Sequence, residues 1–335
     1  MMPQHFSAAK PFGFAAILLS LAGCANIAQK NAETTPSIVP LKPFATDVAT
    51  QRSHAVQLQL FLDEHDFRPG AVDGRTGEFF KKALQQYNAA NGIPESTPPD
   101  VSDVTPYTTY TISADDLSRV GTMATDNAEI AKQKSCPYTS LSSLVAERFH
   151  TTLAFLTALN PGQNLDQLQA GDTVQVPNVA HPFRIDELPS ISKTSRNPRL
   201  ASRKISIDVS TRILEVRNKD KVVASFPITP GSSDHPAPIG DWEITGIATF
   251  PWFRYDEGVL ERGERTEDFF NIPPGPRNPV GILWMQLNRP GDGIHGSPNA
   301  ETIGRAGSHG CIRLANWDAA LIRTLVTTGT PVSIH

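Results

Sequence analysis

The stretch GSHGCIRLAN, residues 307–316, places Ser308, His309, Gly310 and Cys311 in succession, just ahead of Arg313. Upstream, GIHGSPN supplies a second histidine, His295, followed by Gly296. A free thiol titrates near about 8.5 and is a poor nucleophile until it loses its proton. A neighbouring imidazole that takes the proton and holds the thiolate as an ion pair removes that obstacle. In an extended backbone His309 and Cys311 project in parallel on one face, so the ring of His309 is badly aimed at the sulfur. A histidine delivered from a different strand can point across at it. The spacing therefore assigns His295 as base and His309 as a local orienter. Gly310 has no Cβ, so the chain can turn there and a substrate can approach the amides of 310 and 311. Donors so placed stabilise the oxyanion of a tetrahedral intermediate by roughly 3–4 kcal/mol each.

Other chemistries compete for the same residues. His295, His309 and Cys311 could chelate zinc with water as the fourth ligand, but no second cysteine or carboxylate accompanies them in the sequence. A disulfide between Cys136 and Cys311 is available to a chain in an oxidising compartment. A buried structural cysteine explains Cys311 alone and leaves His295, Gly310 and Arg313 without a reason. The nucleophile reading uses all four.

The elements that must position these residues begin at about 203. KISIDVS, RILEVRN, VVASFPI, DWEITGIA, GILWMQL and the terminal PVSIH alternate or run apolar in short stretches separated by turn residues, the mark of strands. The only strong helix here is WDAALIRTLVT, 317–327, with Asn316 as expected N-cap and Asp318 in its first turn. Residues 203–335 are thus expected to be a mainly-β domain with few helices, a sandwich or open barrel. Trp252, Phe253 and Tyr255 either line its cleft or pack. The charged run 256–268 reads as a solvated flap.

Upstream the chain divides further. Apolar residues 11–23 follow Lys10 and form a run too short to span a bilayer, which fits a signal-peptide core. Residues 24–52 read as a polar tether, 53–94 as a compact helical unit, 107–179 as a small α+β unit, and 95–106 and 180–202 as linkers. With 335 residues and a net charge of -4, the chain is multidomain and carries no broad basic surface for nucleic acid.

Several of these segments resemble known families. LAGC, residues 21–24, resembles a bacterial lipoprotein signal, which implies removal of 1–23, lipid on Cys24 and, with Ala25 next, outer-membrane sorting. Residues 53–94 resemble the three-helix peptidoglycan-binding module through Pro69, Gly70, Val72, Asp73, Gly74 and Gly77. Residues 107–179 resemble in part a LysM glycan-binding module, with 114–137 as an unusually long insertion. HGSPNAETIGRAGSHGCIRLAN and the whole of 203–335 resemble the L,D-transpeptidase catalytic domain, Ala237 standing where threonine is common.

That resemblance implies acyl transfer on peptidoglycan stem peptides in the periplasm. Cys311 is the implied nucleophile and His295 the proton carrier. The Gly296 carbonyl fixes the imidazole tautomer, Arg313 binds a stem carboxylate or amide, and Ser308 and His309 shape the site. Neither metal nor nucleotide cofactor is implied. The expected product is a crosslink between stems or a lipoprotein attached to the wall. Hydrolysis of the thioester, as a carboxypeptidase or endopeptidase, and a non-catalytic wall anchor are the rival functions.

Overall fold

A computed structural model describes residues 44–335 apart from Thr194, Ala306 and His309. The signal-like segment and Cys24 lie outside the described residues.

Two helices open the structure, α1 (Phe44–Glu64) and α2 (Glu78–Asn91). The 53–94 unit therefore shows two helices where three are expected; after Gly92 caps α2 in the left-handed region, Pro94, Pro98 and Pro99 prevent another. Helix α1 also begins well inside the expected tether. It is retained there by contacts: the Arg52 guanidinium lies 4.6 Å over the Phe155 ring and donates to the Asp73 carbonyl. The glycine-rich loop between the helices is organised from within. Gln59 accepts from the Asp73 and Gly74 amides and donates to the carbonyls of Ala71 and Arg75.

Strand β1 (Tyr107–Thr111) pairs antiparallel with β2 (Thr173–Pro177). Between them lie the short helices α3 (Ala114–Ser118) and α4 (Asn127–Ile130), then α5 (Leu141–Arg148) and α6 (Leu153–Leu159). Both expected linkers turn out to be packed. Val101 is buried in the first; Phe183 and Ile185 are buried in the second, whose β3 (Ser192–Lys193) joins the main sheet. Apolar side chains inside nominally polar stretches give those segments something to bury.

The remaining strands are β4 (Arg203–Asp208), β5 (Ile213–Asn218), β6 (Lys221–Pro227), β7 (Gly240–Thr249), β8 (Phe253–Tyr255), β9 (Phe270–Ile272), β10 (Leu283–Leu287), β11 (Gly293–His295), β12 (Ile312–Arg313) and β13 (Pro331–Ile334). Helix α7 (Glu257–Arg262) follows β8, and α8 (Asn316–Leu325) precedes β13. The main sheet runs β12-β11-β10-β7-β13-β4-β5-β6, with β3 also on β7. Just beyond β6, Thr229 bridges back to Arg313 through bonds of 2.9 and 3.0 Å, so the two ends of the path meet. Of the two expected arrangements, this is the barrel. Its core is the alternating set Ile205, Ile207, Leu214, Val216, Phe226, Ile244, Met285 and Ile294.

The N-terminal elements pack directly on this barrel. Residues 66–68 pair with Ser225 on the outer edge of β6. The buried Arg68 meets Asp63 at 2.5 Å and lies 3.6 Å from Asp318 of α8, while His150 contacts Asp63 at 3.1 Å. Cys136 and Ile130 form a small core with Ile272, against which Phe253 and Tyr255 pack. Those two aromatics therefore serve packing, and Trp252 is the exposed one, at 62%.

Candidate active site

The site sits where the barrel closes. Strands β11 and β12 run parallel, with Ile294 opposite Ile312 and His295 opposite Arg313. Register partners in parallel strands share a face, so the imidazole and the guanidinium project on the same side. Cys311 immediately precedes β12 at the turn made by Gly310, whose φ of +101° favours glycine. The Gly293 amide, at the start of β11, hydrogen-bonds the sulfur, which favours the thiolate; the thiol itself is 3.6 Å from the Gly291 carbonyl. The positive field of Arg313 reaches both Cys311 and His295.

The Cys311 segment is pinned from the opposite side. The Ser308 amide donates to the Pro230 carbonyl at 3.1 Å, the Ser308 carbonyl accepts from the Ser232 amide at 2.9 Å, and the Ser308 hydroxyl donates to the Cys311 carbonyl. Ser308 thus works as a brace for the turn. His309 lies outside the described residues, and with it one ligand of the zinc alternative. Cys136 and Cys311 are both free; Cys136 is buried, its thiol donating to the Pro273 carbonyl at 3.3 Å.

His295 is buried, stacked on Trp284 with ring centroids 5.6 Å apart. Its Nδ1 lies 2.6 Å from the Gly296 carbonyl oxygen. A carbonyl only accepts, so Nδ1 carries the proton and Nε2 keeps its lone pair. Burial pushes the imidazole down to about 4 and the Cys311 thiol up to about 11, Asp292 adding to the latter. The resting pair is consequently thiol and neutral imidazole, where the residue types alone suggested an ion pair. Desolvation of a closed strand seam penalises both charged forms.

Arg313 is half-buried, and among the described residues its Nε finds no hydrogen-bond partner. A guanidinium left open beside a nucleophile is a receptor for a carboxylate or amide oxygen. Asp292, just ahead of β11, pairs with Arg289 at 2.7 Å and sets the acidic side of the site.

Sequence reasoning missed the role of Asn316. The N-cap of α8 is Ala315, which makes no side-chain cap, and Asn316 is the first helical residue. Its amide is committed elsewhere, to the Ile282 amide at 3.2 Å, the Pro276 carbonyl at 3.2 Å and the Glu147 carboxylate at 2.9 Å. Nothing in the local pattern NWDAAL distinguishes that use from a cap.

The chain is similar in sequence to several known proteins. Residues 202–334 match the YkuD family model, described as an L,D-transpeptidase catalytic domain. A protein of Bacillus licheniformis named "Putative L,D-transpeptidase YkuD" is 29% identical over 59% of this chain and 94% of its own length. The protein of the same name from Bacillus subtilis is 25% identical over 58% of this chain and 93% of its own. A crystal structure of an Enterococcus faecium L,D-transpeptidase overlays loosely, with a TM-score of 0.31 at 22% identity, over 40% of this chain and 50% of that one; the present chain spans half its length. The barrel that closes around His295, Cys311 and Arg313 is the part of the chain that resembles the L,D-transpeptidase catalytic domain of the YkuD family.

Proposed function

We propose that Cys311 is the nucleophile of a two-step acyl transfer on peptidoglycan stem peptides. Its Sγ attacks the carbonyl after the third stem residue, the L-centre of diaminopimelate, while Nε2 of His295 takes the thiol proton. The amides at Gly310 and Cys311 receive the oxyanion. The tetrahedral intermediate then collapses, the C–N bond breaks, and His295 returns the proton to the departing D-alanine amine. An acceptor amine attacks the resulting thioester, giving up its proton to His295, and the thiol is regenerated. Arg313 holds a carboxylate or amide of the donor stem, Gly296 keeps Nδ1 protonated throughout, Ser308 braces the turn and His309 orients the neighbouring backbone.

The observation that carries this reading is the parallel register of His295 with Arg313. It supports one face holding the sulfur, a base with its lone pair available and a cation whose Nε has no partner among the described residues.

The front of the chain fits a wall enzyme. The 53–94 and 107–179 units are read as contacts to glycan strands, which raise the effective concentration of stems at the site. Lipid on Cys24 would hold the protein at the outer membrane facing the periplasm. Exchange of Cys24 for serine should then release it from the membrane fraction, and unchanged fractionation would remove that part of the reading.

Defined tetrapeptide muropeptides separate the outcomes by mass. A dimer lighter than two donors by one D-alanine supports crosslinking. Tripeptide alone replaces transfer with hydrolysis, attachment of a lipoprotein amine in place of a stem changes only the acceptor, and unchanged donor refutes the enzyme reading.

A further inference from the structure

The buried amide of Asn316 links the catalytic histidine to a side chain that belongs to a different part of the molecule. Its Oδ1 occupies a notch between Gly281 and Gly296, where a Cβ on either glycine would collide with it. It therefore packs against the peptide whose carbonyl accepts the hydrogen bond from Nδ1 of His295. Its Nδ2 donates to Oε1 of Glu147, on α5, 169 residues away in sequence. The other carboxylate oxygen of Glu147 accepts from the Tyr138 hydroxyl, and Tyr138 in turn lies under the Arg277 guanidinium, 5.5 Å from its ring centroid. Glu147, Tyr138 and Asn316 are all buried. A carboxylate that deep is costly and is kept only where its oxygens are used.

We propose that Glu147, from the unit between β1 and β2, is a positioning residue for the transpeptidase site: it fixes Asn316, which fixes the Gly296 peptide, which selects the Nδ1–H tautomer of His295. The inference rests on the assignment of His295 as base. It gives the 107–179 unit a part in the chemistry beyond holding substrate. Without Glu147, Asn316 keeps only Pro276 as acceptor for Nδ2. The amide is then free to turn, the Ile282 amide loses its acceptor, and the Gly296 carbonyl is no longer held in line with Nδ1.

The test uses the full chain with Glu147→Ala, Glu147→Gln and Tyr138→Phe. Glutamine retains an acceptor for Asn316 and can donate to the Tyr138 oxygen, so it is the conservative replacement. Two readouts are taken at a temperature where each variant is folded: the second-order rate of acylation by meropenem, and the nitrogen chemical shifts of the His295 ring. In Glu147→Ala acylation should fall roughly tenfold to a hundredfold, the scale of a small misplacement in a catalytic group. The ring should pass from one tautomer to a mixture. Glu147→Gln should stay within about threefold of the parent, having kept its hydrogen bonds. Should Glu147→Ala not fold, Tyr138→Phe, which removes one hydroxyl and keeps the ring, should shift both readouts in the same direction by a smaller amount. A parent-like rate, or a slower rate with an unchanged tautomer, overturns the proposal and leaves Glu147 a packing residue. If the parent itself is not acylated at Cys311, the assignment of the nucleophile fails first and this inference falls with it.

Discussion

The resting protonation state of the Cys311–His295 pair can be measured, and its expected value follows from burial. With the imidazole pushed down to about 4 and the thiol up to about 11, moving the proton from sulfur to nitrogen costs on the order of 10 kcal/mol. That cost leaves on the order of one site in ten million as thiolate–imidazolium. Alkylation of Cys311 by iodoacetamide reports the thiolate fraction directly. In the parent its rate should climb about tenfold per pH unit through neutrality, without levelling until about pH 10 or above. His295→Gln should leave that curve nearly unchanged, since the ring does not hold the thiolate at rest. The same variant should slow acylation by meropenem by roughly 10²–10⁴, the usual worth of a general base. An alkylation plateau between about pH 5 and 8 that disappears in His295→Gln would reveal a preformed ion pair and refute the argument from desolvation.

Gly296→Ala should be damaging out of proportion to one methyl group, because its Cβ meets the Asn316 amide; a stability loss of about 1–3 kcal/mol by chemical denaturation, with acylation at least about tenfold slower, is expected. Arg313→Lys keeps the charge but loses the planar fork, so KM for a tetrapeptide donor should rise more than kcat falls in steady-state assays. Asp318, buried near Arg68 but outcompeted for it by Asp63, is pushed up to about 8. Its folded value lies above its unfolded one, so the fold binds the extra proton and loses stability as pH rises from about 4 to 8. Asp318→Asn removes that dependence, and its gain in Tm over the parent should be larger at pH 8 than at pH 5.

Much of the barrel was legible because its strands carry their own signal. Ile205 and Ile207 alternate inward, Leu214 and Val216 do likewise, and the strand boundaries follow the turn residues around 210 and 219. The candidate site residues stood out for a different reason: Cys311, His295 and Arg313 are types whose joint occurrence has few explanations besides chemistry. What stayed hidden depends on contacts between distant segments. Whether α1 runs back to Phe44 is decided by such contacts as Arg52 over Phe155, and no local pattern predicts that. Asn316 has the composition of a cap and the surroundings of a buttress. The ion pair expected from residue types gave way to neutral partners because burial, which the motif does not encode, acts on both groups.

The central claim is that a single sulfur carries the acyl group. Intact-mass and peptide mapping of the full-length protein after brief exposure to a tetrapeptide donor or meropenem tests it most directly. The account predicts one adduct, on Cys311, and none on Cys136, with adduct and product both lost in a folded Cys311→Ala variant. An adduct at another residue, or turnover that survives Cys311→Ala, contradicts it.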